Sequence, residues 1–283
     1  MTGEPLIINL ATTGMVPMKA DNPAVPLTPA EIAEDCRRCA AAGVTTVHLH
    51  ARDAEGRATY RKEVFRETIA LVRAAVPEIV VCVTTSGRVF GELEQRAEVL
   101  DLDGALKPDM ASLTLGSMNF PREVSVNAPG TIQGLAERMR ERGIVPELEV
   151  FDLGMLDYAH YLIERGILRE PFYFNFLLGS LGTLAATPLH LSQLAAAVPR
   201  GAAWGAAGIG RFQLPMNALA VAMGGHVRVG LEDNLFLDGA KQQPATNVLL
   251  VERVAGIARS MGRPLATCAQ ARRRIGLGDP PRA

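Results

Sequence analysis

Val47-His48-Leu49-His50-Ala51-Arg52-Asp53 carries the first clear signal of both fold and chemistry. Successive strand side chains alternate faces, so histidines two apart stack along one face of a strand, whereas on a helix they would diverge. Thr45-Thr46-Val47 is a β-favouring lead-in, and Asp53 to Gly56 reads as a turn. Two imidazoles on one face at a strand end are the start of a metal site that wants a third protein ligand and an open position. The competing reading is structural, with one histidine hydrogen-bonded in the core and the other solvated.

Outward from this stretch the chain alternates. Leu6-Ile-Ile-Asn-Leu-Ala-Thr is a continuous apolar run closed by Thr13-Gly14, as in a buried parallel strand. Thr28-Pro29-Ala30-Glu31 then announces a helix, with Thr28 as N-cap, Pro29 at the first position and Glu31 completing a capping box. That helix ends near Gly43. Downstream, strands are expected over 79–87, 110–116, 145–151, 172–178, 203–210 and 227–232. Helices are expected over 62–75, 92–100, 131–142, 155–164, 189–197, 212–223 and 246–261, with a short tail helix from Thr267. Eight strands, each followed by a helix and with no composition break, predict an α/β fold: a single (β/α)8 TIM barrel over residues 1–283. A doubly wound open sheet is the alternative. Gly205-Ala-Ala-Gly-Ile-Gly210 lends it little support, because it is not GxGxxG and comes late in the chain.

The 283 residues, 48% of them hydrophobic and 5% aromatic, suit one compact helix-and-strand enzyme. A formal net charge of -1 and the absence of a basic stripe argue against nucleic acid as a partner. No signal-peptide pattern and no apolar run of membrane-spanning length is present, so a cytoplasmic protein without a membrane partner is expected. Cys36 and Cys39 form a lone CxxC in a helical stretch with no second pair, which reads as two reduced thiols.

Barrel chemistry sits at the C-terminal ends of the strands, so polar residues there weigh most. On the eighth strand Arg228, Gly230 and Glu232 share one parity, and Asp233 follows at the rim. A cation and two carboxylates at the end of an apolar strand are costly unless paired or bound to metal. Glu232 is then the natural third ligand for His48 and His50, a set that suits zinc best while also accepting Mn, Co or Fe(II). Asp233 and Arg228 read as a general base and its charge partner, or as a structural ion pair. Thr84, Thr85, Ser86, Thr114, Ser117 and Asn119 add hydroxyl and amide groups at other strand ends, and Glu149 shares a face with Glu147. Gly208, Gly210 and Arg211, closing one strand and opening the next helix, read as a phosphate site able to take the phosphates of a large cofactor.

Taken together, these motifs resemble the β-keto acid cleavage enzyme family over essentially the whole length. The resemblance rests on Thr28-Pro29, the His48/His50 stretch, Lys107-Pro-Asp-Met-Ala-Ser112 and Pro146-Glu-Leu-Glu-Val150. It continues through Ala207-Gly-Ile-Gly-Arg211, Gly224-Gly-His-Val-Arg228, Gly230-Leu-Glu-Asp-Asn234 and Gly262-Arg-Pro-Leu-Ala-Thr267. The family implies a barrel, one zinc ion per chain on the residues matching His48, His50 and Glu232, and a homotetramer. It also implies the reaction: a β-keto acid and acetyl-CoA give acetoacetate and a new CoA thioester. Asp233 would take the α-proton, Arg228 would hold that carboxylate ionised and in place, and Thr84 would keep a substrate-binding hydroxyl. An amidohydrolase-like metal hydrolase also uses HxH in a barrel, but on the first strand and with later strand-end ligands.

Two departures fall where the substrate tail should lie. Val16 stands where aminohexanoate-cleaving members carry a Glu, and Thr84-Thr-Ser-Gly-Arg88 stands where Ser-Thr-Gly-Gly is common. The expectation is a pocket with Val16, Thr85, Ser86, Arg88, Ser117 and Glu149 against the substrate. Arg88 is expected to grip a tail carboxylate, with neutral or anionic β-keto acids preferred over amino-bearing ones.

Overall fold

The computed structural model describes residues 4–121 and 123–280. Eight parallel strands form its centre: β1 (Ile8–Ala11), β2 (Thr46–Leu49), β3 (Val80–Val83) and β4 (Met110–Thr114), then β5 (Val145–Val150), β6 (Tyr173–Leu178), β7 (Ala203–Gly208) and β8 (His226–Val229). Each pairs with its neighbours in chain order, and β8 returns to β1, so the sheet closes into a barrel. The expected (β/α)8 architecture is therefore present and the open sheet is not.

The helices follow from local signals. In α1 (Pro29–Ala41) the Thr28 hydroxyl accepts from the Glu31 N–H while the Glu31 carboxylate accepts from the Thr28 N–H, the capping box expected there. Cys36 and Cys39 lie on its buried face as free thiols, and burial pushes both upward in pKa, so they are neutral packing groups. None of the helices among the described residues is long and apolar enough to cross a membrane.

Strand parity sorts the interior. Outward-facing residues such as Val47, Leu49, Val81, Val83, Phe174 and Phe176 pack under the helices in one large apolar cluster. Inward-facing residues change character along the barrel axis. At the N-terminal floor, Ile7, Val80, Met110, Tyr173 and Ala203 form an apolar plug, which the last helix, α2 here (Cys268–Ile275), covers with Ala271 and Ile275. The expected helical tail is thus the lid of the floor. It is fastened by Arg272, which donates to Asp109 Oδ1 at 2.8 Å, while Arg73 donates to Oδ2 at 3.2 Å. Toward the C-terminal mouth the inward positions turn polar: Asn9, His48, Glu147, Glu149, Asn175 and Arg228 are all buried there.

The structure departs from the expected elements in two places that matter. The eighth strand ends at Val229 rather than at 232, and residues 230–234 form a turn. Gly230 lies with its Cα against the Ala11 carbonyl, so a Cβ there would come within 2.1 Å of that oxygen. Its own carbonyl then accepts from the Asp233 and Asn234 N–H groups, closing the turn. Two small hairpins, Ala51–Arg52 with Ala58–Thr59 and Met118–Asn119 with Val124–Ser125, also decorate the mouth after β2 and β4.

Replacing Gly230 by Ala is expected to cost about 1–3 kcal/mol of stability, because backbone on both sides must shift to admit the methyl group. Denaturant unfolding of the variant beside the parent measures it.

Candidate active site

Glu147 is fully buried inside the barrel on β5, and four donors meet its carboxylate. Asn9 Nδ2 and Asn175 Nδ2 donate to Oε1 at 2.6 and 3.2 Å, and the Cys82 thiol faces Oε2 at 3.4 Å. The fourth is His48 Nδ1, 2.7 Å from Oε2. Burial alone would raise the Glu147 carboxyl, but the neighbouring His48 outweighs it and holds the group below its ordinary value. An ionised carboxylate can only accept, so Nδ1 of His48 carries the proton and Nε2 is left as the outward atom. Burial likewise pulls the His48 imidazole down while Glu147 overrides it and raises its pKa.

His50 follows directly after β2, and its ring centroid stands 5.1 Å from that of His48. Its Nε2 meets Glu232 Oε1 at 3.1 Å. Here burial dominates and lowers the imidazole pKa. One ligand-capable atom from each of His48, His50 and Glu232 lies within 4.8 Å of the other two. Glu232 Oε2 is buried with no hydrogen-bond partner among the described residues, and an unpaired carboxylate oxygen in such a place calls for a cation. His48, Cys82 and Glu147 form a second close cluster, but they are already bonded to one another. Burial raises the Cys82 thiol pKa strongly, which leaves it a poor ligand.

Arg228, the largest fully buried side chain, organises the acids. It donates through Nε to Asp233 Oδ2 at 2.9 Å, through Nη2 to Glu232 Oε1 at 2.6 Å and through Nη1 to Glu149 Oε1 at 3.4 Å. Thr114 adds a hydroxyl donor to Glu149 at 2.7 Å. Burial would lower the guanidinium pKa, but Asp233 and Glu232 keep it raised. Against its own burial, Glu232 is held far below the carboxylate range by Arg228. Burial wins at Asp233 and Glu149, whose pKa values rise. Glu232 and Asp233 can both reach Arg228 only because the chain is turning there; on a continued strand adjacent residues would face opposite ways. Gly14 gives Glu232 its room, since a Cβ on Gly14 would approach Glu232 Cγ to 2.7 Å.

These groups form the base of a cavity of about 410 Å³ at the barrel mouth. Thr84, Ser86, Arg88, Val16, Glu149, Gly210 and Arg211 also line it, as expected. Thr85, Ser117 and Gly208 do not. The Thr85 hydroxyl turns into the wall and donates to the Ser112 carbonyl at 2.5 Å. Ser117 Oγ accepts from the Asn127 N–H at 2.8 Å outside the cavity. Gly208 is packed against the Phe212 carbonyl, where a Cβ would stand 2.0 Å away. Strand-end position put these three residues near the mouth, but hydrogen bonds turn the Thr85 and Ser117 hydroxyls away from the cavity and Gly208 is covered by Phe212.

Arg88 lines the cavity, yet it is not the free cation expected. Its Nε donates to the Glu123 carboxylate, and its guanidinium lies 4.1 Å above the Phe120 ring. The other histidines are accounted for: His160 and His190 bond main-chain carbonyls, and His226 Nδ1 accepts from the Ile7 N–H at the floor. They leave the extra strand-end ligands of an amidohydrolase-like site without candidates. Two contributors were not singled out from the sequence. Glu147 had only its parity with Glu149 to mark it, and Arg52 pins the loop after β1 by donating to the Gly14, Gly56 and Pro17 carbonyls.

Comparison with known proteins places the chain in a family. A family model described as beta-keto acid cleavage enzyme matches residues 5–277. The chain belongs to the β-keto acid cleavage enzyme family. A 3-keto-5-aminohexanoate cleavage enzyme of Fusobacterium nucleatum is 39% identical over 275 residues, covering 97% of this chain and 98% of that one. A 3-oxoadipate:acetyl-CoA acetyltransferase of Cupriavidus necator is 38% identical over 278 residues, covering 97% and 95%. Among solved structures, apo ObcA superposes with a TM-score of 0.77 at 22% identity, covering 90% of this chain and 66% of ObcA, which supports the barrel fold.

Within this family member the buried guanidinium is expected to be a stability determinant as well. Arg228→Met would leave Glu149, Glu232 and Asp233 without their shared cation and lower stability by about 3–5 kcal/mol, read as a large fall in the unfolding midpoint.

Proposed function

We propose that the protein is a metal-dependent acyltransferase that exchanges the acyl group of a β-keto acid with acetyl-CoA, releasing acetoacetate and a new CoA thioester. The observation that carries it is the orphaned Glu232 Oε2 beside His48 and His50 at the floor of an open cavity, with Asp233 on the same Arg228 fork. The His2Glu donor set fits a divalent ion, zinc best, and Glu147 holds the proton of His48 on the nitrogen away from the site. When bound there, such an ion supplies Lewis-acid polarisation of a chelated β-keto carboxylate.

The chain's own residues account for the remaining work. Asp233, whose pKa burial raises above the ordinary carboxylate value, takes the proton between the substrate's two carbonyl carbons. Arg228 keeps that carboxylate in place and balances its charge in both protonation states. The carbanion carbon bonds to the acetyl carbonyl carbon and the CoA thiolate leaves. The thiolate then adds to the former keto carbon, the carbon–carbon bond beside it breaks, and acetoacetate recovers its proton from Asp233. Thr84, whose Oγ1 accepts from the Ser86 N–H at 3.1 Å, keeps its hydroxyl proton for a substrate oxygen. Gly210 and Arg211 stand on the rim, where a cofactor phosphate can reach them. No protein nucleophile is needed.

Metal-loaded protein incubated with acetyl-CoA and a panel of β-keto acids is expected to form acetoacetate. CoA-independent ester or lactone hydrolysis without any acetoacetate would overturn the reading. His48→Ala, His50→Ala and Glu232→Gln are each expected to lose bound metal and turnover together, measured by metal analysis. Glu147→Gln should retain the ligands but weaken metal affinity by about 10–100-fold. Asp233→Asn is expected to keep its metal while turnover drops by roughly 10²–10⁴-fold, with substrate α-proton exchange lost in parallel.

A further inference from the structure

We propose that Glu123 is a specificity-determining residue: by holding Arg88 against Phe120, it makes this sector of the cavity a sleeve for a neutral, apolar substrate tail. The inference rests on the β-keto acid reading above and names the class of acid within it. Arg88 stands in the loop after β3, and Phe120 and Glu123 stand in the hairpin after β4. The guanidinium is held on two sides. Its Cζ lies 4.1 Å from the centre of the Phe120 ring and its Nε donates to Glu123, while the Arg88 backbone N–H donates to Ser86 Oγ at 3.3 Å. Phe120 is in turn held edge-on by Phe151 at 6.0 Å. Arg88 lines the cavity while Glu123 does not, so the carboxylate grips the guanidinium from behind the wall.

Met15, Val16, Met118 and Phe120 line the same cavity as Arg88 and give an uncharged tail apolar surface to pack on. The acids lining the cavity, Glu149, Glu232, Asp233 and Asp238, all belong to β5 or to the chain after β8. Three of them are claimed by Arg228, and Asp238 Oδ1 accepts from the Gln242 and Gln243 N–H groups. An ammonium tail would find no carboxylate lining this sector among the described residues and would face a cation instead. A carboxylate tail would have to displace Glu123 to reach Arg88, giving up one charge-assisted bond to make another. An uncharged tail buries apolar surface against Met118, Phe120 and Val16 and disturbs neither. Glu123 is 41% exposed at its side chain, so its hold on Arg88 is of the screened, surface kind and can be released by a single substitution.

The test compares three β-keto acids of equal length, ending in methyl, carboxylate and ammonium, in the parent, Glu123→Gln and Arg88→Met. Acetoacetate formation gives kcat/KM, and calorimetry without acetyl-CoA gives Kd for the same acids. The parent is expected to rank methyl above carboxylate above ammonium in both. Glu123→Gln should raise the carboxylate-to-methyl ratio by about tenfold, as the freed guanidinium accepts a substrate anion. Arg88→Met, which keeps the stack on Phe120, should abolish that gain when combined with Glu123→Gln. A parent that favours either charged tail, or a ratio that stays the same in Glu123→Gln, overturns the proposal. If none of the acids turns over but the Kd ranking and its shift hold, the sleeve stands and the acyl-transfer reading falls.

Discussion

A single buried guanidinium holds the reactive end of this barrel together. Arg228 contacts Asp233, Glu232 and Glu149, and without it three carboxylates could not share so little space. Its effect is unequal, and that inequality is useful. Arg228 holds Glu232 far below the carboxylate range, whereas burial leaves Asp233 and Glu149 with raised pKa values. One cation therefore supports neighbouring carboxylates in two electrostatic states, the separation on which the proposed division between ion binding and proton transfer rests.

A second buried group, Glu147, does the corresponding work for the imidazoles. Asn9, Asn175 and Cys82 hold its carboxylate, which fixes the tautomer and orientation of the His48 ring from within the barrel. The turn at Gly230 completes the arrangement by bringing Glu232 and Asp233 to the same side. Barrel closure is what places these parts together: Asn9 is in register with Thr46 on one side and Arg228 on the other.

Much of this was legible in the sequence where the signal is local. The two-residue period of His48 and His50, the Thr28/Glu31 cap and the alternation of eight strands with helices need only near neighbours to be read. Glu232 was reached by its parity with Arg228 and Gly230, although the strand expected to carry it ends at Val229. The partners that orient these side chains are non-local and left no pattern. His48 and Glu147 are 99 residues apart in the chain, and Arg88 and Glu123 are 35 apart. Thr85, Ser117 and Gly208 show the converse: a strand-end position is visible in sequence, but the direction in which a loop turns a side chain depends on bonds such as that from Thr85 to Ser112.

The inward face grades from an apolar plug at the floor to charge at the mouth, while the tail-contacting sector is built from loops after β1, β3 and β4. The histidine pair and the acids that Arg228 holds, by contrast, stand on or just after β2, β5 and β8. Reaction and recognition are thus written on different segments of the chain. On the function proposed above, substitutions in the hairpin that carries Phe120 and Glu123 would redraw which acid is accepted while His48, His50, Glu232 and Asp233 stay where they are. A scaffold partitioned in this way diversifies readily: lineages can drift from one substrate to another through loop changes, each intermediate still a working catalyst.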